Sequence, residues 1–178
     1  MVEFVAFHPM NETRGSAIAA AIEVMGYERL VNALYRHGLA HIQRDAWYPQ
    51  QTELDLLREM QRENSVTMIA VGMALADSAM FPQTGVRTLL EALLRLNEAY
   101  QSSHRGQDVG SYGFQMQGER RGVLTCRTPY PADLEFGLLY RLAYTFRPPQ
   151  TTKFHLHRLE TVPDSEAEGN CSTFYLEW

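Results

Sequence analysis

Cys126-Arg127-Thr128-Pro129-Tyr130-Pro131-Ala132-Asp133 is a passage from extended chain into helix. Val123 to Arg127 reads as a strand. Two prolines then fix the backbone near φ −65° and remove two N–H donors. Pro131 or Asp133 is suited to start a helix. Downstream, Leu134, Leu138, Leu139, Leu142, Ala143 and Phe146 share one helical face, and Pro148-Pro149 ends the run. Upstream, Tyr112, Phe114 and Met116 alternate with Gly113, Gln115 and Gln117, the period of a strand. Gly118 to Gly122 makes the hairpin loop between the two strands. Lys153–Glu160 reads as a third strand and Cys171–Trp178 as a fourth, with Asp164–Asn170 a charged, glycine-terminated loop between them. The C-terminal part is thus ββαββ, and its short connections favour antiparallel pairing.

The first hundred residues read as helical. Ser16 is a natural cap for an Ala-rich helix ending at Met25, where Gly26 breaks it. Tyr27 to Asp45 reads as a second helix, ended by Trp47-Tyr48-Pro49. Thr52 starts a third, with Asp55 as a loose capping-box partner. Ser65 caps a fourth, running to Met80 and stopped by Phe81-Pro82. That helix is apolar nearly all round, so it is buried, and Ala70, Gly72, Ala74 and Ala76 allow close backbone approach. Val86, Leu89, Leu90, Leu93, Asn97 and Tyr100 trace a fifth, amphipathic helix. The expectation is an α+β fold in a single domain, residues 1–178. A helical bundle (1–105) packs on a four-stranded antiparallel sheet (106–178), with a helix between strands two and three.

The composition excludes several classes. With 178 residues there is length for a sizeable core. The formal charge of −5 gives no general footprint for nucleic acid or an anionic membrane. No segment reaches the ~18 apolar residues of a membrane span. No basic leader precedes the apolar run Val2–Phe7, so the expected location is cytoplasmic. Cys126 and Cys171, the 2 cysteines, do not make a disulfide scaffold.

Several residues could carry chemistry. His37, His41 and Asp45, four apart on the predicted second helix, could face a metal; the alternative is a polar helix face. His155 and His157 alternate on a strand and share one sheet face, and Cys171 on the neighbouring strand is the natural third metal ligand; the alternative is a solvated face. Cys126 and Cys171 could meet across the sheet or simply be buried small hydrophobes. Ser102-Ser103-His104-Arg105-Gly106 has no serine elbow, and phosphate-binding and dinucleotide glycine patterns are absent. No catalytic signature stands out, so the chain is expected not to be an enzyme.

Three stretches together resemble a superfamily of ligand-binding domains: Ile69-Ala70-Val71-Gly72 with Ala79-Met80-Phe81-Pro82, the Cys126–Phe146 passage, and Gly169-Asn170-Cys171-Ser172-Thr173-Phe174. The superfamily groups 4-vinyl reductase-type domains, haem nitric-oxide/oxygen-binding (H-NOX) domains and TRAPP subunits. The H-NOX side of the resemblance implies haem held by a histidine before the sheet, a place taken by His104. It also implies a Tyr-x-Ser-x-Arg clamp, whose Ser and Arg are missing after Tyr112. The 4-vinyl reductase side implies a bacterial small-molecule sensor acting as a dimer or through a separate signalling protein. The TRAPP side implies a dimerising scaffold.

The expected function is therefore non-enzymatic sensing or binding of a small apolar ligand between bundle and sheet, lined by Met73, Phe114, Met116, Cys126, Tyr130 and Leu138. Met68 and Phe154 belong to the same apolar interior. A haem gas sensor using His104 and a homodimeric scaffold are the alternatives. Cofactors are limited to haem or a metal ion.

Overall fold

The structure is a computed structural model that describes residues 4–63, 67–78, 85–151, 153–159 and 171–178. The strand-to-helix passage is as the prolines dictate. β5 (Arg121–Arg127) leads through Thr128–Tyr130 into α6 (Ala132–Phe146), with Pro131 as its extended N-cap at φ −69°, ψ 147°. Asp133 and Glu135 occupy the first turn, where the helix dipole favours negative charge.

The remaining elements in chain order are β1 (Glu12–Arg14), α1 (Gly15–Met25), α2 (Tyr27–Arg36), β2 (Trp47–Pro49), α3 (Gln50–Glu63), α4 (Thr67–Ser78), α5 (Leu89–Ser103), β3 (His104–Arg105) and β4 (Ser111–Gly118), with β6 (His155–Leu159) and β7 (Cys171–Glu177) after α6. The fold is α+β. A four-stranded sheet has the order β4-β5-β7-β6, antiparallel throughout. Phe114, Leu124 and Phe174 lie opposite one another across three of its strands. Its inner face carries the buried Tyr112, Leu124, Cys126, Phe174 and Leu176, which join the helical residues Leu34, Leu54, Met60, Met68, Val71, Leu93 and Leu139 in one apolar core.

The small residues of α4 have a specific use. A Cβ built on Gly72 would overlap the Leu134 carbonyl oxygen, and one built on Gly137 would overlap that of Ile69. The two glycines let α4 and α6 cross with their backbones in contact.

Four sequence expectations change. The helix from Tyr27 ends at Arg36, not Asp45, because Gly38 takes φ +70°. Leu39 N–H then donates to the Leu34 carbonyl and Gly38 N–H to that of Tyr35, a Schellman closure. The Trp47-Tyr48-Pro49 stretch is not a simple stop but a strand in a second sheet, ordered β2-β1-β3, in which Thr13 lies opposite both Tyr48 and His104. The first helix starts at Gly15 with no side-chain cap, so Ser16 is not its cap. The fifth begins at Leu89, where Thr88 and Glu91 form a complete capping box. The Ser65 cap, the Phe81-Pro82 stop, Met80, Glu160 and the Asp164–Asn170 loop lie outside the described residues. Among the described residues no helix is long and apolar enough to cross a membrane.

Candidate functional site

Helix α5 ends where the second sheet begins, and that junction carries His104 inward. Its ring stacks on Tyr100, one helical turn earlier, with centroids 4.0 Å apart. Nδ1 lies 2.9 Å from the Tyr100 carbonyl oxygen and 3.1 Å from the Ser103 hydroxyl. Nε2 meets the Tyr130 hydroxyl at 2.7 Å. The same hydroxyl lies 2.7 Å from Oε2 of Glu53, which enters from the first turn of α3. All three side chains are buried. Burial pulls His104 down to about 4, so the imidazole is neutral at pH 7. Burial likewise pushes the Glu53 carboxyl up to about 7, against the opposing hydrogen bond from Tyr130.

Tyr130 has one proton and two partners. When Glu53 is ionised, Tyr130 donates to it and accepts from Nε2–H, which leaves bare Nδ1 facing the Tyr100 carbonyl. When Glu53 is protonated, it donates to Tyr130, Tyr130 donates to Nε2, and Nδ1–H donates to Tyr100. Every group is then satisfied, so a neutral Glu53 fits this geometry best.

A second buried carboxyl lies close by. Glu135 accepts from Tyr112 at 2.6 Å and from Thr128 at 2.5 Å. Burial pushes it up to about 7 as well. Tyr112 meets Tyr100 edge-on at 5.1 Å. Gln50 and Thr13 complete the polar cluster. The Gln50 amide stands beside the Tyr100 and Tyr130 hydroxyls, and Thr13 beside Glu53, close enough to influence their protonation. Neither has hydrogen-bond geometry: both Gln50 amide atoms and the Thr13 hydroxyl are buried without a partner.

Part of this cluster floors a chamber of about 590 Å³. Glu53, Tyr100, His104, Tyr112 and Tyr130 form the buried end; Leu75, Leu96, Ala99, Leu134 and Leu138 form apolar walls from α4, α5 and α6. Exposed Arg44, Asp45, Ser78, Arg95, Glu98 and Ser102, with Arg14, mark the mouth.

Of the residues singled out from sequence, Tyr130, Leu138 and His104 reach this chamber. Met73, Phe114, Met116 and Cys126 are not among its lining residues. Phe114 instead covers Gly122 on the sheet face, and Cys126 is buried in the core, its thiol pushed up by burial. Met68 is likewise buried in the core.

The proposed metal ligands do not converge. His155 and His157 stack at 6.0 Å on the exposed face. His157 lies opposite Tyr175, however, four residues along β7 from Cys171. At ~3.3 Å per residue that is about 13 Å. His37 binds Glu59 at 2.9 Å, and residues 37–45 are not helical. Among the described residues no group of three or more His, Cys, Asp or Glu could hold a metal ion. Cys126 lies opposite Ser172 and Cys171 opposite Arg127, so the two thiols point to opposite faces and neither is in a disulfide.

Sequence reasoning missed Glu53, Gln50, Tyr100, Tyr112 and Glu135. Tyr100 and His104 do stand at i and i+4 on either side of the helix end, which was readable. Glu53 and Glu135 sit in first helical turns and read as ordinary dipole partners.

No protein-family model matches the chain, and neither does any curated protein. Solved structures do. An oxygen-binding H-NOX domain related to soluble guanylate cyclases matches with a TM-score of 0.69 at 12% identity, over 92% of this chain and 91% of that one. An Fe(II) unliganded H-NOX protein from K. algicida matches with 0.67 at 8% identity, over 92% and 95%. A mutant H-NOX protein from S. oneidensis in the Fe(II) state matches with 0.65 at 12% identity, over 91% and 94%. The chain therefore has the H-NOX fold. These matches lend nothing to the 4-vinyl reductase or TRAPP side of the resemblance.

As arranged, the residues do not fit a haem. A histidine ligand must offer iron a nitrogen lone pair, and Tyr130 already holds Nε2. After Tyr130 come Ala132 and Leu134, where a Tyr-x-Ser-x-Arg clamp would place Ser and Arg. Tyr112 is followed by Phe114 and Met116 in the same way.

Proposed function

We propose that this chain is a non-enzymatic, small-molecule sensor or binding domain, its ligand held in the chamber between α4, α5 and α6. The observation that carries the reading is the chamber itself: apolar walls over a buried polar floor of Glu53, His104 and Tyr130. Sites that bind small molecules have this make-up, mostly apolar with a few converging polar groups. None of the floor residues forms a nucleophile–base pair facing a substrate, which favours binding over catalysis. A second copy of the chain or a separate signalling protein is the partner this reading proposes.

Native mass spectrometry of the purified protein tests the reading. A co-purifying or added small molecule that binds wild type and is weakened or lost in a Leu138→Trp variant, which narrows the chamber, supports it. Identical binding in both removes it.

Haem-based gas sensing is the second reading, favoured by the fold shared with haem-binding proteins and by the neutral His104 imidazole at the chamber floor. It requires Tyr130 to leave Nε2. Haemin titration that gives a Soret band, lost in His104→Ala, supports it; colourless protein after haemin addition removes it.

A further inference from the structure

We infer that the chamber floor is a cation site: it takes an organic ammonium on an apolar body, with Glu53 as the counter-charge. This rests on the ligand-binding reading above and names the ligand's chemistry.

A fully buried carboxylate normally meets an arginine, a lysine or a metal. Glu53 meets only neutral groups. Its hydrogen-bond partner is a tyrosine, and among the described residues no ion pair includes it. His104 does not supply the charge, because it contacts Glu53 only through Tyr130 and is neutral at pH 7. Alone, Glu53 stays protonated; a cation that ionises it has an open route in, since Glu53 lines the chamber.

The surroundings also suit a positive guest. Tyr100, Tyr112 and Tyr130 line the same end, and their ring faces attract a cation. Burial first, and then the Glu135 and Glu53 carboxyls, push the Tyr100 phenol up, so the field at the floor turns negative once these carboxyls ionise. An ammonium brings three N–H donors. Glu53 accepts one, and Tyr100 and Tyr130 line the same end with hydroxyl oxygens that can accept the others. A carboxylate guest would find a carboxyl where it needs a donor. The mouth does not exclude a cation. Arg14 donates to the Asp45 carbonyl and lies over Trp47, Arg44 pairs with Glu23, and Asp45 and Glu98 line the same rim.

Calorimetry with n-hexylammonium, 1-hexanol and hexanoate, which share one apolar body, tests the inference. Wild type is expected to bind the ammonium at least tenfold more tightly than the alcohol, and hexanoate not measurably. In Glu53→Gln the preference for ammonium disappears while the alcohol still binds. Equal binding of ammonium and alcohol by wild type, or a preference that survives Glu53→Gln, overturns the cation site and leaves the ligand-binding reading standing. Binding of none of the three overturns both. If Glu53→Gln fails to fold, the Glu53 carboxyl carbon resonance of wild type is followed during the hexylammonium titration. It should move to the ionised position; binding without that movement overturns the inference.

Discussion

Tyr130 ties two distant parts of the chain together through one atom. Its hydroxyl joins a carboxyl from α3 to an imidazole from the end of α5. Tyr130→Phe keeps the ring and its edge contacts with Tyr100 and His104, and removes only the shared hydroxyl. Two buried groups then lack a partner at once, and leaving buried polar groups unsatisfied costs about 1–3 kcal/mol. Urea unfolding should show that loss with an unchanged m-value; a variant as stable as wild type would mean that water replaces the hydroxyl. Two of these three residues were legible in the sequence. The Pro-Tyr-Pro segment marked Tyr130 as held rigidly, and His104 stood out after a helix. Glu53 was not legible, because a glutamate in a first helical turn looks like a solvent-facing dipole partner. Only the tertiary fold shows that this turn is buried.

The long elements were readable because their apolar periods extend over many residues. Helix α6 and strands β4, β5 and β7 start and stop within about two residues of the sequence expectation, which is the ordinary spread of element ends. The second sheet was not readable. Its strands have 3, 3 and 2 residues, too few for any period, and they pair across separations of tens of residues. The end of α2 at Gly38 carried a signal, a glycine followed by leucine, that the histidine spacing obscured. Two substitutions test the element-scale devices. Thr88→Ala removes the α5 capping box, at a cost of about 1 kcal/mol. Gly137→Val forces a branched side chain against the Ile69 carbonyl and must separate α4 from α6; overpacking typically costs 1–3 kcal/mol, and backbone overlap places this case at or above the upper end. Since both helices wall the chamber, Gly137→Val should also change ligand affinity, whereas Thr88→Ala should not. Chemical unfolding and a binding isotherm on each variant separate the two.

At the scale of the whole molecule, the buried carboxyls set how stability depends on pH. Glu53 and Glu135 each rise from 4.5 in the unfolded chain to about 7 in the fold. Between those values the native state holds two protons that the unfolded chain has released, so stability falls as pH rises. His104 acts in the opposite sense: its drop from 6.5 to about 4 means that the unfolded chain binds the extra proton, and stability rises with pH across that interval. The carboxyls outnumber the histidine two to one where the windows overlap, and above the histidine's unfolded value they act alone. Glu59, Glu91 and Asp108 are held below their usual range by hydrogen bonds, so their stabilisation is lost only at more acid pH, outside this window. The fold should therefore be more stable near pH 5 than near pH 8, with the loss levelling off once both carboxyls have ionised. A shift of one pKa unit corresponds to about 1.4 kcal/mol, so the net change is on the order of a few kcal/mol. Urea midpoints measured across that range should fall, and the Glu53→Gln/Glu135→Gln double variant should flatten or invert the slope because only the histidine contribution remains. If wild type is instead most stable near pH 8, the two carboxyls are ionised in the fold, and a positive charge already lies beside them.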